Sequence, residues 1–189
     1  MPDRSWKLIS SQQLSAHRIF TLHADRYRLE PEGRENDFFK LEAPDWINII
    51  PITLERQVVL VRQFRHGVRD VTLEIPGGMV DPGESPHDAA VRELLEETGY
   101  AAANVRELGW VWPNPAIQTN RCYTYLGTGA VSSAEARPDP YERIEVTLCP
   151  LREIPRMIRE GEIRHALVVS AFASLFADDH VDTFRPFND

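Results

Sequence analysis

The sequence of 189 residues predicts an α+β protein in which many short strands are combined with few helices. Two observations predict this class. Segments with the alternating or wholly apolar pattern of strands, bounded by turn residues, recur along most of the chain. The helical pattern is confined to one central segment and two segments near the C-terminus. A hydrophobic fraction of 42% supplies enough apolar side chains for a core and excludes a largely disordered chain.

The predicted strands follow one another with turn residues between them. Residues 17–30 alternate and end at a Pro-Glu-Gly turn, and residues 37–42 follow as their hairpin partner. Residues 46–53 and 57–63 form a second predicted hairpin, and the second of these segments contains an apolar run typical of a buried strand. Further strands are expected at residues 71–75, 105–112, 121–126 and 144–148.

The central helix has clear start and stop signals. Ser85 is suited to the N-cap position, and Asp88, three residues later, supplies the acid of a capping box. Gly99 is suited to the left-handed C-terminal cap, so the helix is predicted over residues 86–98. Two more helices are expected at residues 151–160 and 164–176.

The central helix is predicted to have an apolar face and an acidic face. At about 100° per residue, one arc collects the side chains expected in the core: Ala90, Val91, Leu94, Leu95 and Thr98. The other arc collects Glu93, Glu96 and Glu97. Like charges three and four residues apart destabilise a helix by roughly 0.2–0.5 kcal/mol per pair, and the helix dipole adds to this cost near the C-terminal end. A divalent cation would reverse both effects, so a metal site is favoured over a solvated acidic face.

Charge and hydropathy exclude several functional classes. The chain has 21 Lys and Arg against 29 Asp and Glu, a formal net charge of −8, which argues against an extensive nucleic-acid-binding surface. No apolar run approaches the roughly 18–20 residues that span a bilayer, and the N-terminus lacks the apolar segment of a signal peptide. Cys122 and Cys149 have no metal-binding or CxxC spacing. We therefore expect a cytoplasmic protein without nucleic-acid or membrane partners.

The segment from Gly78 to Tyr100 resembles the Nudix box. All nine specified positions of the pattern Gly-x5-Glu-x7-Arg-Glu-U-x-Glu-Glu-x-Gly-U, where U is bulky and apolar, are filled within these 23 residues. Looser similarity extends over most of the chain. The resemblance implies an α/β/α sandwich with a mixed sheet, and hydrolysis of a nucleoside diphosphate linked to another group.

The resemblance also divides the chain into an N-terminal β element at residues 1–42 and a Nudix hydrolase domain at residues 43–189. In the ADP-ribose and nucleotide-sugar pyrophosphatases that the sequence resembles, the residues before the Nudix fold form a small sheet that swaps or packs across a homodimer. A sheet of two or three strands is marginally stable by itself. A homodimer is therefore expected.

The resemblance implies a set of metal ligands within and beside the box. Glu93 and Glu97 correspond to the principal Mg²⁺ ligands, with Glu96 beside them. The backbone carbonyl of Gly77 corresponds to a further ligand, and Glu84 is expected to close the loop before the helix and to reach the metal through water. Two or three Mg²⁺ ions are implied, with Mn²⁺ as a substitute.

Three residues are assigned to catalysis by the same resemblance. Arg92 is expected to orient the glutamates through charge-assisted hydrogen bonds. Glu142 matches the position at which ADP-ribose pyrophosphatases carry a catalytic glutamate on a mobile loop, and here it follows the predicted loop at residues 132–140. A glutamate committed to a metal is a poor base, so Glu142 is preferred over Glu96 as the base. The alternative interpretation of Glu142 is a solvated loop acid.

Substrate contacts are predicted before the box and at the start of a strand. The segments 63–67 and 73–78 are similar to the approach strand of ADP-ribose and nucleotide-sugar pyrophosphatases, and they contain Arg65 and Glu74, which are assigned to substrate binding. Arg65 is expected to bind a diphosphate oxygen, or else to be a surface charge at a strand end. Trp46 is expected to stack on the base, or else to be buried in the core.

The expected substrate class is nucleoside diphosphate sugars, ADP-ribose included. Pro115 stands 16 residues after Gly99, where ADP-ribose pyrophosphatases carry a proline. Its neighbours in residues 114–120 depart from the Ser-Pro-Gly usual there, which favours a broader specificity. Two alternatives remain: a hydrolase of dinucleoside polyphosphates or nucleoside triphosphates, and a Nudix module that senses a nucleotide sugar without cleaving it.

Overall fold

The computed structural model describes residues 5–138 and 141–179, and these residues form two compact units. The first unit contains the described residues up to Pro44 together with Trp112–Arg121. The second contains Asp45–Val111 and the described residues from Cys122 onward. The sequence predicted a boundary after residue 42 and did not predict that residues 112–121 belong to the first unit. Residues 139 and 140 of the predicted loop lie outside the described residues.

The first unit is built on a three-stranded antiparallel sheet in the order β1-β2-β3. Its strands are β1 Trp6–Ala16, β2 Thr21–Leu29 and β3 Arg34–Glu42. The sequence pattern predicted β2 and most of β3 but missed β1, because the polar run at residues 10–13 hides its alternation. The segment 112–121 joins this unit through the backbone of Leu41, which donates to Ile117 O (2.7 Å) and accepts from the N–H of Thr119 (3.1 Å).

The second unit is built on a mixed seven-stranded sheet. The central order is β12-β5-β4-β10-β9, with β6 paired to β5 and β7 paired to β4. Only β4 and β10 run parallel, and the other pairs in this sheet are antiparallel. Its strands are β4 Trp46–Ile52, β5 Gln57–Arg65, β6 Asp70–Glu74, β7 Gly77–Met79, β9 Asn104–Val111, β10 Cys122–Thr128 and β12 Ile144–Pro150; β8 Tyr100–Ala101 and β11 Val131–Ser132 form a separate pair.

Three helices accompany this sheet: α1 Pro86–Thr98, α2 Ile154–Arg159 and α3 Ala166–Phe176. The predicted limits of α1 are confirmed, because the Ser85 hydroxyl accepts from the Asp88 N–H at 3.1 Å and Gly99 has φ of 72°. The helix predicted at residues 151–160 is instead a 3₁₀ turn at Leu151–Glu153 followed by the short α2.

Alternate residues of β4 face opposite layers, which produces the sandwich. Ile47 and Ile49 pack with Ala90 and Leu94 of α1. Ile50 and Ile52 belong to a second cluster with side chains of α2 and α3, including Phe172. The sheet is therefore covered by helices on both faces, and the predicted α+β class with an α/β/α sandwich is confirmed.

One part of the helical-face prediction is wrong. Val91 and Leu95, expected in the core, are 43% and 40% exposed, whereas Glu97, expected on the acidic arc, is only 4% exposed. At about 100° per residue, Glu97 projects between Ala90 and Glu93, so the buried arc is centred closer to the glutamates than the apolar pattern indicated. α1 thus buries an acid against the sheet.

In the part of the chain that the structure describes, no helix is long and apolar enough to cross a membrane.

Candidate active site

Two glycines of β7 lie next to the acidic helix. Gly77 and Gly78 pair with Asn48 and Ile47 of β4. A Cβ on Gly77 would lie within 3.0 Å of Ile47 O, and a Cβ on Gly78 would lie within 3.0 Å of Glu93 Oε1. Both separations are shorter than real Cβ contacts. At Gly77 the obstacle is the backbone of β4, so the close pairing there requires glycine, whereas a Cβ on Gly78 would displace the Glu93 carboxylate. The Gly77 N–H donates to Glu97 Oε2 at 3.1 Å.

Arg92 gathers three of the predicted site carboxylates. Its Nε and Nη2 donate to the two oxygens of Glu84 at 2.8 and 2.9 Å. Its Nη1 donates to Glu93 Oε1 at 2.8 Å and to Glu96 Oε2 at 3.1 Å, and Nη2 also reaches the carbonyl oxygen of Met79 at 3.2 Å. Glu84 also accepts from the Asp81 N–H at 3.1 Å and so closes the loop before α1. The Glu84 hydrogen bonds raise the pKa of the Arg92 guanidinium, with Glu93 and Glu96 adding to the effect.

Glu93 and Glu97 are held in surroundings that disfavour negative charge. Burial raises the pKa of Glu97 to about 8, and the negative charges of Glu93 and Glu142 also raise it. The hydrogen bond from the Gly77 N–H acts in the opposite direction and lowers the pKa. Burial also raises the pKa of Glu93, although Arg92 opposes the shift. Two adjacent carboxylates that resist ionisation indicate a place suited to a cation.

Glu142 lies two residues before β12 and approaches this pair from a distant part of the sequence. Gln63 of β5 donates from Nε2 to Glu142 Oε1 at 3.3 Å. The segment that precedes Glu142 is anchored to the end of α1: the N–H groups of Ser133 and Ala134 donate to Gly99 O at 2.9 and 3.0 Å, and that of Arg137 donates to Glu96 O at 2.7 Å. The fold therefore brings Glu142 close to the box glutamates.

Arg65 and Glu74 form a bidentate pair beside the same cluster. Arg65 Nε donates to Glu74 Oε1 at 2.8 Å and Nη2 donates to Oε2 at 2.6 Å, while the Thr72 hydroxyl donates to Oε1 at 2.5 Å. Burial opposes ionisation of Glu74, yet the hydrogen bonds from Arg65 leave its pKa lowered. Both oxygens of the buried Glu74 are thus occupied, so its contact is with Arg65. The Arg65 side chain itself is 42% exposed and feels the charges of Glu97 and Glu142.

Trp46 and the Gly77 carbonyl remain assignments by resemblance. Trp46 is partly buried at the start of β4, opposite Met79 of β7 and Cys122 of β10. Gly77 lies against Asn48 and Glu97, with its N–H rather than its carbonyl making the contact to the acidic helix. The stacking role of Trp46 and the ligand role of Gly77 stay predictions.

Two polar side chains of the sheet interior were missed by sequence reasoning. Gln63 is buried and contacts Glu142, and Asn48 is buried and donates from Nδ2 to Leu167 O at 3.2 Å. A signal for both exists in the sequence, because each is an amide at an inward-facing position of a strand rich in apolar β-branched residues. A buried amide needs a partner, which makes such positions candidates for a site.

The donor atoms of the cluster fit a divalent cation. Among the residues that the structure describes, no three carboxylate, imidazole or thiol groups already stand as a metal cage, since Arg92 holds Glu84, Glu93 and Glu96. The donor set nevertheless suits Mg²⁺, because it offers hard oxygen ligands and because Glu97 is a buried acid with one hydrogen bond from the backbone. A cation there would offset the repulsion among Glu93, Glu97 and Glu142.

Comparison with known proteins identifies the family of the chain and several of its relatives. The sequence profile of the NUDIX domain family matches residues 44–172. An ADP-ribose pyrophosphatase of Bacillus subtilis is 26% identical over 170 residues, which cover 89% of this chain and 91% of that protein. An ADP-sugar pyrophosphatase of Mus musculus is 28% identical over 200 residues, covering 95% of this chain and 90% of that protein.

A solved structure supports the fold. The crystal structure of an ADP compounds hydrolase superposes with a TM-score of 0.82 at 21% sequence identity, covering 92% of this chain and 94% of that one.

Proposed function

The chain belongs to the Nudix family and is a Nudix pyrophosphatase, and from this premise we propose that it hydrolyses nucleoside diphosphate sugars, ADP-ribose included, to a nucleoside monophosphate and a sugar phosphate. The observation that carries the proposal is the convergence of Glu142, from outside the box, on the half-buried Glu93 and the buried Glu97. The names of the similar pyrophosphatases support the choice of substrate class.

The residues of the site divide the work. Glu93 and Glu97 would hold Mg²⁺ with Glu96, the Gly77 carbonyl and, through water, Glu84. The cation, when bound, neutralises the anionic pyrophosphate and activates water. Arg92 keeps the glutamates in place through the hydrogen bonds described above.

Hydrolysis of the pyrophosphate bond requires a general base that accepts a proton from water. A water oxygen adds to one phosphorus, the bridging P–O bond breaks, and the departing phosphate leaves with the electron pair of that bond. Glu142 accepts the proton of the attacking water. Arg65, which is held by Glu74 and half exposed, donates to a diphosphate oxygen. Trp46 stacks on the nucleobase of the substrate.

A substrate panel tests this function. The protein is incubated with ADP-ribose, GDP-mannose, UDP-glucose, nucleoside triphosphates and diadenosine polyphosphates, each with Mg²⁺, with Mn²⁺ and with a chelator in place of the metal. We expect a nucleoside monophosphate and a sugar phosphate from the nucleotide sugars, and no turnover with the chelator. Preference for triphosphates or diadenosine compounds would replace the substrate assignment. Tight binding of a nucleotide sugar without cleavage would indicate a sensing module.

We also propose that the protein is a homodimer that assembles through its first unit. The three-stranded sheet carries exposed large apolar side chains, among them Trp6 at 43% and Phe39 at 58% exposure, and a sheet of this size is marginal alone. Light scattering at micromolar concentration is expected to give twice the mass of 21.6 kDa. A monomer mass would refute the dimer and leave the hydrolysis proposal intact.

A further inference from the structure

Glu142 is a carboxylate whose position needs an explanation. Its charge contributes to the raised pKa values of both Glu93 and Glu97, so the three acids repel one another. Glu142 lies outside regular secondary structure, two residues before β12 begins at Ile144. Repulsion by itself would turn such a side chain away from the cluster, towards solvent. A base that accepts a proton from water must instead keep a fixed direction.

Gln63 supplies a contact that opposes this repulsion. It is 7% exposed, and its backbone is fixed on both sides, by pairing with Ile144 of β12 and with Thr72 of β6. The Thr72 hydroxyl also donates to the Gln63 carbonyl oxygen at 3.3 Å. The side-chain amide therefore projects from a rigid position, and its Nε2 donates to Glu142 Oε1.

We propose that Gln63 is a positioning residue that holds the Glu142 carboxylate towards the box glutamates. The inference rests on the proposed function, because it assigns Gln63 a role only through Glu142 as the base. An amide is suited to this task, since it donates to a carboxylate without adding a charge or taking the proton that Glu142 must accept. Neighbouring Arg65 attracts Glu142 but is committed through two nitrogens to Glu74.

Removal of the donor tests the proposal. Gln63→Met keeps the length of the side chain and abolishes its hydrogen bonds, and we expect kcat with ADP-ribose and Mg²⁺ to fall by about tenfold to a hundredfold, the scale of a hydrogen bond to a charged group. KM is expected to change less than twofold, because substrate contacts are unaltered. Arg62→Met is the matched control, since Arg62 precedes Gln63 in β5 and is exposed on the opposite side of the strand; it should retain full activity.

A double-mutant cycle separates positioning from a merely structural role. In a Glu142→Gln background, Gln63→Met should cost less than about twofold further, because the group through which it acts is already gone. An equal loss of kcat in both backgrounds, or full activity of the Gln63→Met protein, would overturn the proposal. If Gln63→Met lowers the melting temperature severely, Gln63→Leu replaces it: this variant removes the donor without placing a second acid beside Glu142, and it is expected to lose as much kcat.

The outcomes also distinguish failure of the proposed role of Gln63 from failure of the proposed function. An inactive Glu142→Gln protein combined with an active Gln63→Met protein would refute the positioning role and leave the proposed function in place. A fully active Glu142→Gln protein would remove the base assignment and the role of Gln63 together. Absence of nucleotide-sugar hydrolysis by the unaltered protein would refute the proposed function itself.

Discussion

Glu97→Gln is expected to lower the rate of hydrolysis by at least about a hundredfold while the fold stays intact. The change preserves side-chain size and leaves helix propensity nearly unaltered. It removes one anionic ligand from the most buried carboxylate of α1, which is 4% exposed. Turnover of ADP-ribose at saturating Mg²⁺ measures the effect.

Stability supplies a second readout for the same variant. Without metal and at a pH above 8, where Glu97 is ionised, the Glu97→Gln protein should be at least as stable as the parent, because the repulsion with Glu93 and Glu142 is reduced. Added Mg²⁺ should raise the melting temperature of the parent, since a ligand that binds only the folded state stabilises it. That rise should be absent or small in the variant. Glu55→Gln, an exposed change of equal charge in the turn between β4 and β5, is the control and should behave like the parent. Near-normal turnover in Glu97→Gln would show that the acidic face is not a metal site.

Glu142→Gln is expected to reduce kcat by roughly 10²–10⁴-fold, the usual share of acid–base catalysis, with little change in substrate affinity. The matched control is Glu145→Gln. Glu145 lies inside β12, is exposed and pairs with Arg62 of β5, so the loss of its charge should have a mild effect. Steady-state kinetics of both proteins on the same substrate compares them.

The activities of the two variants also decide whether Glu142 keeps its assignment as the base. Equal activity of the two variants, or a larger loss in Glu145→Gln, would contradict the assignment of Glu142. Glu96 would then become the preferred base. It is the most exposed of the three carboxylates bound by Arg92, with a side-chain exposure of 47%.

Much of the site was predictable because its signals are local. The residues that cap α1 lie at its ends, and the spacing of Glu93 and Glu97 places them one helical turn apart wherever the helix packs. The resemblance to the Nudix box used the same short segment, and the family match over residues 44–172 confirms that recognition. Resemblance, rather than any local pattern, selected Glu142 over the other acids of its loop.

Burial and the pairing of distant segments were not readable in the same way. The apolar positions of α1 indicated Val91 and Leu95 as core, but the sheet packs on an arc that includes Glu97. Gly78 of β7 leaves room for the Glu93 carboxylate, and the Gly77 N–H donates to Glu97. β1 escaped prediction because its partner β2, rather than its own polar sequence, stabilises it as a strand.

By itself, then, the sequence determined the limits of α1, the order of its acidic residues and the chemistry open to them, because capping and helical periodicity act over a few residues. Only the tertiary structure decided that Gln63 would meet Glu142, 79 residues later, and that Arg65 would be committed to Glu74. Those contacts depend on the register between β5, β6 and β12. A shift of one residue in that register would turn the strand side chains Gln63, Arg65 and Glu74 to the other face of the sheet.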